Sequence, residues 1–299
     1  MSVNLVVGAT GSLGGRVTRG LLQQGKAVRI LTRKNPISEE LASQGRANTA
    51  QSLIDAGARA VAGDLKNRAS LDAACQGVET IVATATATQR GGADTIESVD
   101  LHGMLNLIEA AKAAGVKRFI YTSVPGASLD NPIPLMKIKG TCEAALEKSG
   151  MKYTIVQPCV FMEIWIGMVV GMPLMAGQPI TLVGQGDHHH NFISEADVAA
   201  FELTAVDHPK AANQRFLIGG PASYTWTEIV QAVNKGMGAQ LPVQYVPLGS
   251  NVPLLPPEAV NLFNGMETYE TYADMSELAP AYGMKLTTLD EFIQRTFVR

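Results

Sequence analysis

Short apolar runs alternate with longer segments of helical periodicity over the first half of the chain. Residues 3–7 form an apolar run interrupted only by Asn4, as expected of a strand that is buried on both faces. Leu13, Val17 and Leu21 then recur at helical spacing, and Gly25 follows where a helix C-cap is expected. Five later apolar runs predict strands at residues 28–31, 58–62, 80–85, 118–123 and 153–156. Strands separated by helices predict a doubly wound parallel sheet of the Rossmann type, in the α/β class.

Helical segments are predicted between these strands at about residues 95–115 and 136–148, and a surface helix is predicted within the polar connection 35–56. After residue 157 the alternation weakens, and the chain becomes rich in Gly, Pro and Met. The pattern therefore predicts a Rossmann domain at 1–157 and a smaller lobe at 158–299 over the carboxyl edge of the sheet, with strands that can return to it.

Helix starts remain recognisable in this second part as capping boxes. They are expected to begin at Ser194, Thr225 and Thr287, and Asp197 is expected to complete the first of them.

A glycine-rich turn links the first predicted strand to the first predicted helix. Gly8, Gly11 and Gly14 give the spacing G-x-x-G-x-x-G, which lets the backbone turn tightly and approach a pyrophosphate. Further donors, from side chain or backbone, are expected from Thr10, Ser12 and Leu13. This context predicts a dinucleotide site, and the alternative is a turn that only packs strand against helix.

The residues after the second strand indicate which dinucleotide is bound. An NAD site carries an acidic residue there, but this chain has Arg33 and Lys34, and no carboxylate before Glu39. A guanidinium grips a 2′-phosphate with a fork of donors, so NADP(H) is the predicted cofactor; two solvated cations are the alternative. Asp64 is expected to accept from the adenine amine or to cap a helix. The remaining predicted cofactor contacts are Leu65, Ala83, Thr84 and Pro158.

Several stretches, taken in order, resemble the NmrA-like group of atypical short-chain dehydrogenase/reductases. They are "GATGSLGG", "LTRK", "GDL", "AAKAAGVKRFIYTS", "KGTCEAALEKSGMKYTIVQP" and "NFISEADVA". The resemblance covers residues 3 to about 230. It implies a nicotinamide-binding Rossmann fold, and it leaves the activity open, because the family includes quinone and dye reductases, isoflavone-reductase-like enzymes, photosystem II assembly factors and redox sensors. The stretch "PLMKIKGTCEAALEKSG" is most similar to the chlorophyllide-reductase and assembly-factor branch.

Ordinary members of the wider family use a Ser, Tyr and Lys triad, with Tyr four residues before Lys. By this resemblance Lys139 takes the lysine position and orients the nicotinamide ribose; the alternative is an exposed helix lysine. Leu135 stands at the tyrosine position, and Val124, next to Ser123, stands at the serine position. Lys137 is a second candidate, and it also lacks the tyrosine. A leucine cannot protonate a substrate, so the residues exclude alcohol–ketone chemistry by that triad and favour a conjugated, electron-poor acceptor.

The substrate pocket is expected to be lined by residues 158–175 and by Val124. Phe161, Met162 and Trp165 would give it a large, deformable apolar surface that suits a flat polycyclic or quinonoid molecule. The alternatives are ordinary core packing, or an exposed surface that meets a membrane or a partner.

Three consecutive histidines stand in "GQGDHHHNFIS". His188 or His189 could supply the missing proton, since imidazole titrates near neutrality, while a solvated loop is the alternative. The sequence shows no third ligand spaced for zinc, so no metal site is predicted.

Composition narrows the class of protein. The net charge of −3 argues against nucleic-acid binding. Cys75, Cys142 and Cys159 have no metal or disulfide spacing and predict reduced thiols. The N-terminus lacks a signal-peptide pattern, and the apolar stretch 164–175 is too short to cross a bilayer. We therefore expect a cytoplasmic monomer or homodimer.

Together these features predict an NADP(H)-dependent oxidoreductase that reduces a conjugated, largely apolar small molecule. The main alternative is a non-catalytic NADP(H)-binding redox sensor or assembly factor that acts through a protein partner. A lyase or isomerase on the same scaffold is a third possibility.

Overall fold

A computed structural model describes residues 2–33, 48–88 and 93–298. The chain divides into two compact units. The first comprises Met1–Gln157 and Val198–Phe216, and the second comprises Pro158–Asp197 and Leu217–Arg299. Residues 198–216, which the sequence pattern placed in the C-terminal lobe, thus belong to the first unit.

Strands and helices alternate as the apolar runs predict, with small shifts at their ends. The strands are β1 (Val3–Val7), β2 (Ala27–Thr32), β3 (Arg59–Ala62), β4 (Val78–Ala83), β5 (Arg118–Thr122), β6 (Lys152–Pro158), β7 (Val160–Phe161), β8 (Ile180–Val183), β9 (His190–Ile193), β10 (Gln214–Ile218), β11 (Ser223–Tyr224) and β12 (Val243–Val246). The α-helices are α1 (Ser12–Gln23), α2 (Ala50–Asp55), α3 (Arg68–Cys75), α4 (Met104–Ala113), α5 (Pro134–Glu147), α6 (Met162–Ile166), α7 (Met172–Ala176), α8 (Glu195–Asp207), α9 (Trp226–Met237), α10 (Pro257–Met266), α11 (Leu278–Ala281) and α12 (Leu289–Thr296).

Seven strands form the main sheet, in the order β10-β6-β5-β4-β1-β2-β3. The pairs β1–β2, β1–β4, β2–β3, β4–β5 and β5–β6 are all parallel. The last strand, β10, runs the same way, because Asn213 donates to the carbonyl of Tyr153 while Cys159 donates to that of Ile218. The fold is therefore the predicted doubly wound α/β sheet.

The strand order reverses direction between β1 and β4, since β2 and β3 lie on one side of this point and β5 and β6 on the other. A crevice outside the carboxyl ends of the strands opens at such a switch point, and ligands bind there in open α/β sheets. The chain leaves β1 at this point through the glycine turn.

The predicted long helix after Thr95 contains an irregularity. Thr95 caps it, but Ile96–Gly103 is wound as a π-helix before α4 continues to Ala113. π-Helical turns widen the helix and are frequent at functional sites. Asp100 lies on this segment.

Two of the three predicted capping boxes need correction. The box at Thr225 forms with Glu228 as expected, whereas the last one begins at Thr288 and not at Thr287. Asp197 does not complete the first box, because its carboxylate accepts from the backbone N–H and the hydroxyl of Thr287, at 2.7 and 2.9 Å.

A carboxylate distant in sequence caps the start of α8 instead. The hydroxyl of Ser194 donates to Glu163 at 2.7 Å, and the backbone N–H of Glu195 donates to the other oxygen of Glu163 at 2.9 Å.

The polar connection after β2 is described only in its last part. There Thr49 and Ser52 form a capping box at the start of α2, as a surface helix requires. Lys34 lies outside the described residues.

The second unit has a three-stranded sheet, β11-β9-β7, and a two-stranded sheet, β12-β8. Its core centres on the ring of Trp226. This ring packs edge-on against the rings of Phe192 and Phe263, with ring centroids 5.3 and 5.2 Å apart. Across the described parts of both units, the helices are all too short or too polar to span a bilayer.

Candidate cofactor site and its buried lysine

Steric demands inside the fold explain two of the three glycines of the turn. Gly8 has a φ of 95°, a conformation that glycine adopts readily. A Cβ on Gly14 would lie 2.2 Å from the carbonyl oxygen of Gly8 and 2.7 Å from Oγ1 of Thr84. The turn and the close approach of α1 to β1 and β4 therefore require glycine at both positions.

The surrounding structure constrains position 11 much less. A Cβ there would meet only the carbonyl oxygen of Gly8, at 3.2 Å, and its φ of −75° suits any residue. The fold itself thus gives a weak reason for glycine at this position, and the open space beside it can admit a ligand.

The start of α1 favours an anion. The N-cap is Gly11, which has no side chain to cap the helix, and the first turn has no acidic residue. The backbone N–H groups of the first turn of a helix point out of its end, and they carry the positive end of the helix dipole. Geometry and charge at this helix end fit a diphosphate.

Asn48 is a neighbour of this turn that sequence patterns did not reveal. Its side-chain amide donates to the carbonyl of Gly11 at 3.4 Å, and its carbonyl oxygen accepts from Nε of Arg19 at 3.3 Å. The amide also lies where a Cβ on Gly15 would be. Asn48 follows a long connection, so only the fold places it on the glycine turn.

Arg33 lies directly after β2, as predicted, and shares a carboxylate with another cation. Asp94 accepts from Arg33 at 2.9 Å through one oxygen and from Lys66 at 2.6 Å through the other. The carboxylate is 7% exposed, while the side chains of Arg33 and Lys66 are 29% and 37% exposed. The two cations that follow β2 and β3 are thus gathered at one place, which suits a phosphate.

Asp64 takes part in a local turn. Its Oδ1 accepts from the backbone N–H of Lys66 at 2.8 Å, and the helix that follows is capped by Asn67. The capping alternative for Asp64 is therefore wrong, and its contact with adenine stays a prediction.

The other predicted cofactor contacts lie at the ends of strands or in the turns that follow them. Leu65 and Ala83 are buried in the core of the first unit, and Thr84 follows β4 and donates from its backbone to the carbonyl of Val7 at 2.9 Å. Pro158 ends β6 and begins the second unit.

Lys139 is buried, so the alternative of an exposed helix lysine is wrong. The residue is only 4% exposed, and its ammonium lies 3.3 Å from Oδ1 of Asp100. It donates to the carbonyl of Thr122, at the end of β5, at 3.4 Å and sits 5.0 Å from the centre of the Tyr121 ring. Lys137 is exposed, which leaves Lys139 as the lysine of interest on α5.

The partner carboxylate is itself fixed in place. Oδ2 of Asp100 accepts from the backbone N–H of Ala87 at 2.9 Å, and the carbonyl of Asp100 accepts from the thiol of Cys142 at 3.2 Å. Burial raises the pKa of the Cys142 thiol to about 11, so it stays protonated and can donate. The π-helical turn holds Asp100 where it neutralises Lys139.

The predicted substrate residues fall in both units. Val124 is partly exposed just after β5 in the first unit. In the second unit Met162 is fully buried in the core, so the packing alternative holds for this residue. Phe161 and Trp165 are partly buried, and the Trp165 ring lies 6.3 Å from that of Phe263. Their contact with substrate stays a prediction.

The three histidines differ in their surroundings. His188 and His189 are partly exposed beside carboxylates of the second unit. His190 is fully buried, and its Nε2 lies 2.9 Å from the carbonyl oxygen of Met266. Burial lowers the pKa of His190. A role for His188 or His189 as proton donor stays a prediction.

Comparison with known proteins places this chain in a family. The family model described as "NmrA-like family" matches residues 2–293, which is nearly the whole chain. The chain belongs to the NmrA-like family. The resemblance read from the sequence motifs is thereby confirmed.

Curated relatives of this chain have different activities. The photosystem II assembly factor Ycf39 of Cyanophora paradoxa is 31% identical over 82% of this chain and 71% of its own length. The NAD(P)H azoreductase of Xenophilus azovorans is 30% identical over 92% of this chain and 85% of its own.

Among solved structures, the triphenylmethane reductase of Citrobacter sp. in complex with NADP(H) matches with a TM-score of 0.79. It is 20% identical, and the match covers 98% of this chain and 100% of its own. At that identity the likeness supports the fold alone.

Proposed function

We propose that this chain is an NADP(H)-dependent reductase of a conjugated, largely apolar small molecule. The observation that carries the proposal is the strand–turn–helix at the switch point of the sheet, with Arg33 and Lys66 gathered beyond the second and third strands. The azoreductase of Xenophilus azovorans has NAD(P)H in its name, and the triphenylmethane reductase of Citrobacter sp. was solved in complex with NADP(H).

Each part of the cofactor has residues that fit it. The first-turn amides of α1, beside Gly11, would bind the diphosphate. Arg33 and Lys66 would bind the 2′-phosphate in exchange for their shared carboxylate on Asp94. Lys139 has three N–H donors, and Thr122 takes one of them while Asp100 balances the charge at 3.3 Å, so a donor remains that can hold the nicotinamide ribose.

The absence of a proton donor on α5 indicates the class of acceptor. Leu135 stands one helical turn before Lys139 and cannot donate a proton. When bound, NADPH supplies a hydride with its electron pair to an electron-poor conjugated atom, and water supplies the balancing proton. Quinones, azo dyes and enones accept a hydride in this way, because the charge is delocalised as it arrives. The protein then acts mainly by holding the two reactants in contact.

Acceptor-dependent oxidation of NADPH tests the proposal. The purified chain is mixed with NADPH and a panel of quinones, azo dyes, triphenylmethane dyes and enones, and the loss of NADPH absorbance is followed. We expect turnover with at least one acceptor, and loss of the deuterium from one face of NADPH that is labelled at C4. Tight NADPH binding without oxidation by any acceptor would contradict the reductase.

A second candidate function is an NADP(H)-binding assembly factor. The observation that favours it is that several curated relatives are photosystem II assembly factors, including those of Cyanophora paradoxa and of Synechocystis sp. at 31% and 30% identity. This function needs the cofactor site but no acceptor. It predicts NADPH binding without turnover, together with NADPH-dependent co-purification of a protein partner.

A further inference from the structure

The second unit brings together a set of metal-binding side chains that the sequence could not reveal. Asp187 and His188 are adjacent in the histidine-rich loop, and Glu267 follows the end of α10. Nδ1 of His188 lies 3.5 Å from Oδ1 of Asp187 and 3.7 Å from Oε2 of Glu267. The ligand atoms of all three residues lie within 4.8 Å of one another.

These distances fit the ligands of one small cation. A zinc ion bonded at about 2.0–2.1 Å to nitrogen and oxygen in a tetrahedron separates its ligand atoms by roughly 3.3 Å. The observed 3.5 and 3.7 Å exceed this by only a few tenths of an ångström. Small side-chain rotations would close the site around the ion.

Unsatisfied buried atoms point to a missing ligand at the same place. The Glu267 side chain is 4% exposed, and its Oε2 accepts from the backbone N–H of Gly186 at 3.3 Å. Its Oε1 and Nδ1 of His188 are both buried, and neither has a hydrogen-bond partner among the described residues. Buried polar atoms are normally satisfied, so a cation bound to Nδ1 of His188 and to the Glu267 carboxylate would remove an energetic cost.

Hydrogen bonds hold the two ligand-bearing segments together. Nε2 of His190 lies 2.9 Å from the carbonyl oxygen of Met266, the residue before Glu267. Thr271 donates to the carbonyl of His189, and Asn191 donates to that of Thr271, both at 3.1 Å. The site is therefore preorganised.

The neighbouring histidine lacks this arrangement. His189 faces Glu228 with Nε2 at 3.9 Å and Glu270 with Nδ1 at 3.7 Å. These two nitrogens lie on different sides of the ring, so one ion cannot bind both carboxylates and the imidazole. At His188 the same nitrogen faces both carboxylates.

We propose that Asp187, His188 and Glu267 bind one divalent transition-metal ion of the zinc type. One imidazole and two carboxylates suit zinc better than the all-oxygen sites preferred by magnesium and calcium. Three protein ligands leave a coordination position open for water or for a ligand of the ion. The proposal does not rest on the proposed reductase activity.

Zinc titration of the full chain, prepared without a polyhistidine tag and freed of metal by a chelator, tests the proposal. Calorimetry is expected to give one Zn²⁺ bound per chain. His188→Ala and Glu267→Gln are each expected to weaken binding at least about tenfold. His189→Ala is the matched control, because it removes an adjacent imidazole, and it is expected to change the affinity less than about threefold.

A spectroscopic readout accompanies the titration. Co²⁺ in place of Zn²⁺ should give the intense visible absorption of a tetrahedral ion, and His188→Ala should abolish it. Because Glu267 is buried, its variant is first checked for folding by circular dichroism; if it fails to fold, the partly exposed His188→Ala alone decides the outcome. Absence of saturable binding, binding unchanged by His188→Ala, or an equal loss with His189→Ala would each overturn the proposal.

Discussion

Arg33 is held by a carboxylate that a bound phosphate would replace. Asp94 is shared between Arg33 and Lys66, at 2.9 and 2.6 Å. The three groups carry a net charge of +1, which favours a phosphate over a ribose hydroxyl. The position of Arg33 after β2 could be read from the sequence, whereas Lys66 and Asp94 could not, because Asp94 lies 61 residues beyond Arg33.

Reversing the charge at Arg33 should change the choice between the two cofactors. Arg33→Asp places a carboxylate where NAD sites carry one, so the affinity for NADPH should fall at least about tenfold while that for NADH stays within about threefold. Fluorescence titration with both cofactors measures the two constants.

Arg59→Asp provides the matched control. Arg59 is exposed at the amino end of β3, whereas Arg33 follows the carboxyl end of the neighbouring strand β2. Its substitution makes the same change of charge. Equal losses of NADPH and NADH affinity in Arg33→Asp would remove Arg33 from the 2′-phosphate.

Lys139 and Asp100 form a buried pair whose two roles can be separated. Lys139→Met leaves Asp100 buried without its cation, so the free energy of unfolding should fall by about 3–5 kcal/mol. Adding Asp100→Asn removes the stranded charge and keeps the acceptor for Ala87, so most of the stability should return.

Urea unfolding and NADPH oxidation are measured on the same three proteins. We expect the double variant to remain at least about tenfold slower than the natural chain, since it lacks the donor for the ribose. If stability and turnover both recovered, Lys139 would be a structural residue only.

At the scale of elements, the turn between β1 and α1 meets two requirements, close packing and space for a ligand. Gly8 and Gly14 let the strand, the helix and β4 approach closely, while Gly11 leaves space and amides at the helix start. The sequence predicted this element, and the dinucleotide site proposed there, because three glycines at fixed spacing lie within one turn. The π-helical turn that carries Asp100 had no such local pattern, and neither did the capping of α8 by Glu163.

The two glycines should therefore respond differently to alanine. Gly14→Ala places a methyl group 2.2 Å from backbone, and the free energy of unfolding should fall by about 1–3 kcal/mol. Gly11→Ala should cost less than about 1 kcal/mol, yet weaken NADPH binding at least about tenfold by filling the space beside the diphosphate. Thermal unfolding and NADPH titration measure both effects, and unchanged NADPH binding in Gly11→Ala would contradict the site.

At the scale of the whole molecule, α8 and β10 return to the first unit after part of the second has been built. The return buries Glu202 of α8 against β5, where its carboxylate accepts from the hydroxyl of Thr122 at 2.6 Å. Burial raises the pKa of Glu202 to about 7, and the hydrogen bond from Thr122 opposes the rise. The helical pattern gave no sign of this carboxyl group, since only the packing of α8 on the sheet buries it.

Stability should consequently fall as the pH rises. The folded chain keeps a proton on Glu202 up to about pH 7, whereas the unfolded chain loses it near 4.5. The contribution of the Glu202 proton to the free energy of unfolding is fully present below pH 4.5. It is lost as the pH rises toward 7, which lowers the free energy of unfolding by on the order of 3 kcal/mol.

Glu202→Gln should remove that part of the pH dependence, and urea unfolding between pH 5 and pH 8 measures it. Glu109→Gln, at an exposed position of α4, should keep the dependence of the natural chain. A slope that persists in Glu202→Gln would show that another group titrates.

The sequence by itself determined the alternation of strands and helices, the glycine turn and the cation after β2. Each of these is encoded by residues a few positions apart, through periodicity, turn geometry and spacing. Only the tertiary structure decided which charged groups meet: Asp94 with Arg33 and Lys66, Asp100 with Lys139, and Glu267 with His188. Such partners are chosen by strand order and by the packing of distant segments, and no local pattern carries that information.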